Sequence, residues 1–244
     1  MSDGRGRLFG TVAELYDRFR PDPPGEFAAH LGELAGRRVL DVGAGTGKLT
    51  RFLLAHGARV SAVEPDDAMR AVLVARSPEV EAIAATAEAL PFAEATFDLV
   101  ASSSAWHWFS HPAAEHEFAR VLKDDGRIVV AWNGLSGTVG WVRDLVARRE
   151  REDDPDRRPR GWHADLSAGP YEDALDFDLA WVWRRSVEDL VALFATYSGA
   201  LVRPEDERRE LFDAVAAEAE ARAVEGIVEV PMSLRGTTAR RAAR

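Results

Sequence analysis

The chain contains no cysteine, which excludes disulfides and thiolate chemistry and suits a reducing, cytoplasmic setting. Excess positive charge is also absent: the formal net charge is −10, and Lys48 and Lys123 are the only lysines among 31 basic residues. A general nucleic-acid binder needs a basic face to neutralise phosphates, and this composition offers none. Long apolar runs are missing too. Nothing approaches the roughly 20 residues of a membrane span, and the amino terminus shows no signal-peptide core. The expected partner is a small molecule, with no nucleic acid and no membrane, and the expected assembly a monomer or homodimer.

What is present fits one well-buried α/β domain with an elaborated cap or tail, since 244 residues that are 46% hydrophobic can build a sizeable core. Thr11-Val12-Ala13-Glu14 reads as a capping box. It opens a helix with Val12, Leu15, Tyr16 and Phe19 on one stripe, and Pro21 ends it. A second short helix is expected over 26–34. From Arg37 strands and helices alternate: 39–42, 60–64, 80–84, 97–102 and 128–132 read as strands, with Asp66 as a helix cap and Pro112 at a first helical position. That alternation implies βαβ units and a parallel, doubly wound sheet.

Further on, 175–183 reads as a strand, 186–197 as a helix opened by a second capping box, 204–224 as a long helix and 227–232 as a last strand returning to the sheet. The run 148–160 mixes both signs with two prolines and reads as a solvated or disordered loop. The end, 235–244, is small and basic and is expected to be disordered.

The chemistry concentrates at Asp41-Val42-Gly43-Ala44-Gly45-Thr46-Gly47, between the first strand and its helix. Without Cβ atoms such a turn bends sharply and lets a ligand lie against it. The dinucleotide spacing G-x-G-x-x-G requires glycine where Lys48 stands. A phosphate-binding loop requires glycine at Val42 and a hydroxyl residue at Leu49. Both spacings fail. Glu64, closing the second strand about 20 residues on, is where doubly wound nucleotide folds put a carboxylate on ribose hydroxyls.

Asp41-x-Gly43-x-Gly45-x-Gly47 resembles motif I of the class I S-adenosylmethionine-dependent methyltransferases. Ala87-Glu88-Ala89-Leu90-Pro91-Phe92 followed by Phe97-Asp98-Leu99-Val100 is similar to the segment of the branch that includes many small-molecule methyltransferases. The resemblance covers about 8–135. It implies a Rossmann-like, mostly parallel sheet of seven strands with the last antiparallel and helices on both faces, and S-adenosylmethionine as cofactor. It also implies that Gly43, Ala44 and Gly45 line the methionine portion, that Asp41 lies near its amino group, and that Glu64 holds the ribose. Pro65 and Met69 would pack on the adenine and Thr86-Ala87 would face its exocyclic amine, although relatives often carry an acidic residue at the position of Thr86. Ser102, ending the fourth strand, joins this set, and no metal is expected.

Open α/β sheets bind ligands beyond the carboxyl ends of their strands, so Ser102-Ser103-Ser104-Ala105-Trp106-His107-Trp108-Phe109 is expected to face the transferred methyl. This stretch, and Ala13-Glu14-Leu15-Tyr16-Asp17-Arg18-Phe19-Arg20-Pro21, resemble relatives of trans-aconitate methyltransferase. In that subgroup the amino-terminal helix covers the cofactor, which would bring Tyr16 near the sulfonium. His107 is the candidate base or acceptor-binding donor. Trp106 and Trp108 either wall an apolar pocket or belong to the core. Residues 133–140, with Gly134, Gly137 and Gly140, form either a lid over the acceptor or a surface loop.

Four segments are thus expected: a helical cap (1–36), a cofactor-binding core (37–135), an elaboration completing the sheet and acceptor pocket (136–234) and the tail (235–244). The expected activity is methyl transfer to a small acceptor, with a carboxylate as one candidate. The alternatives are a natural-product O- or N-methyltransferase and a non-catalytic cofactor-binding protein.

Overall fold

The computed structural model describes residues 11–149 and 163–243. Seven strands form one sheet: β1 (Arg38–Val42), β2 (Arg59–Val63), β3 (Glu81–Ile83), β4 (Phe97–Ser103), β5 (Leu122–Leu135), β6 (Tyr171–Ser186) and β7 (Ile227–Arg241). Their order is β3-β2-β1-β4-β5-β7-β6. The first five pair in parallel, and β7 runs antiparallel to both β5 and β6. This is the expected doubly wound sheet with an antiparallel last strand. Strand order reverses between β1 and β4, which opens a crevice at their carboxyl ends.

The central strands are short apolar runs because helices cover both faces. On one face Leu40, Val100, Ile128 and Val130 pack against Phe118 and Val121 of α5 (Ala113–Val121). On the other, Val39, Leu99, Ala101 and Val129 pack against Leu31 of α2 (Ala28–Leu31) and Leu49 and Leu53 of α3 (Lys48–Ala55). Asp66 caps α4 (Asp67–Arg76) by accepting from Ala68 and Met69, both at 3.0 Å. Beyond β5, α6 (Gly140–Arg149), α7 (Val187–Ala195), α8 (Ser198–Leu201) and α9 (Glu205–Glu220) enclose a second cluster built on Leu145, Leu190, Phe194 and Val215. Val230 and Met232 of β7 join it, so the elaboration rests on the outer half of the same sheet.

Several expectations are corrected. Residues 235–241 are not a disordered tail. β7 continues to Arg241, inserted between β5 and β6, with Ala239 buried in the core and Thr237 bonded to Asp176 at 2.7 Å. α1 (Ala13–Phe19) has Val12 and not Thr11 at its N-cap, and that position carries no side-chain cap. At the second expected box, Ser186 accepts from the Asp189 amide at 3.1 Å. The helix expected over 26–34 is a short 3-10 turn, Gly25–Phe27, followed by α2, which stops at Gly32 with φ of +77°. Residues 133–135 are strand, with Leu135 opposite Met232, so neither a lid nor a long loop begins there. Arg148 and Arg149 end α6, and the rest of the 148–160 run lies outside the described residues.

Gly236 shows how tightly β7 is held. A Cβ there would overlap the Val130 carbonyl and stand 2.6 Å from the Phe177 ring. Overpacking of this kind costs about 1–3 kcal/mol. Gly236→Ala is therefore expected to lower the melting temperature by roughly 2–4 °C per kcal/mol lost, read by differential scanning calorimetry. An unchanged melt would show that this half of β7 is not a packed part of the fold.

Candidate functional site

The turn after β1 is pinned to the end of β2. The amides of Gly43 and Ala44 both donate to the Val63 carbonyl, at 2.9 and 3.0 Å. Gly43, Gly45 and Gly47 take φ of +68°, +57° and +85°, a region that suits glycine. A Cβ on Gly43 would stand 2.5 Å from that of Ala105, and one on Gly47 would stand 2.9 Å from Leu73. Two of the three glycines thus make room for the chain itself. At Gly45 the nearest atom would be the Met69 methyl, at 3.4 Å.

Glu64 follows β2 and is buried. One carboxylate oxygen accepts from the Gly45 amide at 2.8 Å and the other from the Asp66 amide at 2.9 Å. Burial pushes its pKa above the usual range, and the two amides pull against that shift. Asp41 lies inside β1, 1% exposed, and accepts from the Thr50 hydroxyl of α3 at 2.6 Å. Desolvation is the main cause pushing its carboxyl up to about 7; Thr50 opposes the shift and nearby Glu64 adds to it. Thr50 is a site neighbour that sequence reading missed, because a threonine inside a helix carries no signal of its partner.

Met69 is buried with Ala13 and Val72, and Tyr16 packs on that cluster, so α1 lies across the start of α4. Pro65 and Thr86 are exposed, whereas Ala87 is buried in the core. The loop holding Ala87 is clamped by α5: Arg120 donates to the carbonyls of Leu90 and Phe92 at 2.9 and 2.8 Å, and Glu117 accepts from the Leu90 amide at 2.8 Å. Ser102 is buried at the end of β4, and its hydroxyl has no hydrogen-bond partner among the described residues; the same holds for Thr46.

The contact of Ala105 with Gly43 seats the turn after β4 on the glycine turn. Trp106 is 2% exposed and packs on Phe109 and Phe118, which makes it core and not a pocket wall. His107 is half-buried, tilted against Trp108 with 4.7 Å between ring centroids. Its Nδ1 accepts from the indole N–H of Trp132, at 3.3 Å. His111 braces the turn from behind: one ring nitrogen donates to the Trp106 carbonyl at 3.1 Å and the other meets the buried Glu115 carboxylate at 2.7 Å. The His111–Glu115 brace carries no sequence signal, because His111 lies outside α5, before Pro112, and only the turn brings it onto Glu115.

α1 is tied to the far side of the molecule. Arg20 donates to the hydroxyl and carbonyl of Thr196 at 2.9 and 3.0 Å, and its guanidinium lies 3.9 Å from the Tyr197 ring centroid and 4.9 Å from that of Tyr16. Glycine turn, Glu64, Met69 and Tyr16 are therefore contiguous, and His107 joins them through Ala105. Asp41 is buried in β1 against Thr50, and Pro65 and Thr86 stand outside this contact network.

Residues 40–130 match the methyltransferase-domain family. An uncharacterized methyltransferase of Mycobacterium tuberculosis is 36% identical over 207 residues, which is 85% of this chain and 83% of the relative. A methyltransferase-like protein of Schizosaccharomyces pombe is 33% identical, with 71% of this chain and 69% of the relative covered. A structure described as a type II methyltransferase, from Anaeromyxobacter dehalogenans, superposes with a TM-score of 0.65 at 22% identity, over 93% of this chain and all of that one. The fold and the glycine turn define a Rossmann-like nucleotide-cofactor protein. The chain belongs to the class I S-adenosylmethionine-dependent methyltransferases: it is an enzyme, and S-adenosylmethionine is its cofactor. No helix among the described residues is long and apolar enough to cross a membrane.

The state of Asp41 sets a pH dependence. With its pKa raised from 3.8 to about 7, the folded state holds this proton more tightly than the unfolded chain does. That contribution is fully present below about pH 4 and is lost as pH rises through 7. Melting temperatures of the cofactor-free protein are expected to show this loss in wild type and not in Asp41→Asn. Parallel pH profiles for the two would remove Asp41 as its source.

Proposed function

We propose that this methyltransferase acts on a small anionic acceptor and methylates a carboxylate oxygen, at a site lined by His107 and Trp132 beside the glycine turn. The observation that carries the reading is the seating of the His107 turn on Gly43 by way of Ala105, with the imidazole held by Trp132. An indole N–H only donates, so Nδ1 of His107 must accept, and in the neutral ring the proton sits on Nε2. That Nε2–H is the donor that would meet an acceptor oxygen. A base is not needed, because a carboxylate acceptor is already ionised at neutral pH.

The residues around the glycine turn fit the cofactor. The hydroxyls of Ser102 and Thr46 are buried and unpartnered at the carboxyl edge of the sheet, a standing cost of about 1–3 kcal/mol each that a polar ligand offsets. Each Glu64 oxygen keeps a lone pair beyond its backbone bond, as holding a ribose diol requires. Gly43, Ala44 and Gly45 would bound the methionine portion, with Asp41 beneath it as the counter-charge to its ammonium. Met69, with Pro65 at the rim, would pack on the adenine, and Thr86-Ala87 would meet its amine. Tyr16, held by Arg20, would close the site from above. When bound, S-adenosylmethionine supplies an electrophilic methyl on a sulfonium. The protein's own task is then to align the acceptor oxygen and exclude water.

Purified enzyme, labelled cofactor and a cell extract, followed by mass spectrometry, are expected to yield a metabolite one methyl heavier that is an ester. A methylated phenol or amine would replace the carboxylate reading, and tight cofactor binding with no product would favour a non-catalytic role. In calorimetry Glu64→Ala is expected to weaken cofactor affinity at least tenfold; unchanged affinity would overturn the ribose assignment. His107→Ala should lower turnover and leave the shape of the pH–rate profile between 6 and 9 unchanged. Loss of a pKa in that range from the wild-type profile would make it a base instead.

A further inference from the structure

Arg235 lies on β7, opposite Trp132 of β5 and opposite Asp178 of β6. Side chains alternate along a strand. Leu234 points into the cluster with Phe27 and Val129, and Thr238 meets Arg127 on that same side at 2.9 Å. Arg235 therefore shares the opposite face with Trp132, which packs on the cluster of Val130 and Phe118 and reaches His107 through its indole N–H. The level along the strands is also fixed. Ser103, the last residue of β4, pairs with Ala131, so Trp132 and Arg235 stand one step beyond the carboxyl end of the parallel strands.

Arg235 is half-buried, and among the described residues its guanidinium makes no hydrogen bond or ion pair. Several other partly or fully buried arginines have protein acceptors: Arg20 takes Thr196, Arg51 takes Asp17 and the Thr46 carbonyl, and Arg241 takes the Leu122 carbonyl. The carboxylate nearest to Arg235 by register, Asp178, instead accepts from the Ser233 hydroxyl at 2.7 Å. A planar fork of donors held on a rigid strand and left unmatched is suited to a planar oxyanion, bound through two parallel hydrogen bonds.

We propose that Arg235 is the anion-binding residue of the acceptor pocket, taking a carboxylate of the methyl acceptor beside Trp132 and His107. The proposal rests on the reading of His107 as lining the acceptor site. It adds that a carboxylate engaged by Arg235 is a handle distinct from the oxygen that is methylated, because two hydrogen bonds to a guanidinium blunt a nucleophile. Acceptors with two or more carboxylates are then preferred over monocarboxylates.

The test uses the full-length protein saturated with S-adenosylhomocysteine and a panel of mono-, di- and tricarboxylic acids, with propane-1,2,3-tricarboxylate as the main probe. Calorimetry is expected to show binding of the tricarboxylate by wild type, weakened roughly 30-fold or more in Arg235→Gln and less in Arg235→Lys. S-adenosylhomocysteine affinity and melting temperature should stay unchanged in both variants, since the side chain has no partner to lose among the described residues. Equal affinity of wild type and Arg235→Gln for the acid overturns the proposal, as does failure of every acid in the panel to bind wild type. Failure of the wider reading shows separately, as an extract that yields no methylated metabolite with the wild-type enzyme.

Discussion

With no Cβ on Gly43, the turn after β4 closes onto the turn after β1 until Ala105 fills the space a side chain would take. The same glycine has a positive φ and donates its amide to β2. One backbone position thus joins three strands, β1 and β2 through hydrogen bonds and β4 through packing. The cofactor turn and the His107 turn are parts of a single contact. Any side chain at residue 43 would have to displace Ala105, and with it Trp106, whose ring is locked into the core by Phe109 and Phe118. Because interiors are close-packed, that displacement would travel to His107.

Around this contact the charges are arranged unevenly. Asp41 and Glu64 are both buried and both shifted up by burial, and Glu64 counts among the causes raising Asp41. Glu64 has backbone amides on both oxygens, whereas Asp41 has one hydroxyl. The better-solvated carboxylate is therefore the one at the mouth of the turn, and the poorly solvated one lies beneath it. A cation arriving above Asp41 would stabilise its ionised form, so occupation of the site and ionisation of Asp41 are coupled.

The parallel half of the sheet is legible in the sequence because its strands are short apolar runs interrupted by glycine, aspartate and proline, and Asp66 and Ser186 cap the helices they precede. β7 is not legible in the same way. Its second half, Arg235-Gly236-Thr237-Thr238-Ala239-Arg240-Arg241, reads as a basic tail. It is a buried strand because its polar groups, Arg235 apart, find partners only after folding: Thr237 on Asp176, Thr238 on Arg127, Arg241 on the Leu122 carbonyl and Asp124. At the candidate site the glycine spacing is readable, but its cause is only half so. Pattern alone cannot tell a glycine that admits a ligand from one that admits Ala105 or Leu73. Trp132 as the partner of His107, Thr50 as the partner of Asp41, and the position of Arg235 depend on strand register, which a single sequence does not display.

Register is also what makes the end of β5 decisive. Trp132 and Asn133 are neighbours on opposite faces. Trp132 holds His107 on one side, while on the other Asn133 donates to the carbonyl of Asp22 at 3.0 Å and accepts from the indole of Trp181 at 3.1 Å. A slip of one residue would exchange these two side chains and break both arrangements at once. The parallel pairing with β4 stops at Ala131, so it cannot prevent such a slip beyond that point. The continuous antiparallel ladder from Arg127 opposite Arg240 to Leu135 opposite Met232 can. The long last strand, the part of the chain that looks least like structure on paper, is thus what fixes the imidazole on one face and the loop behind α1 on the other.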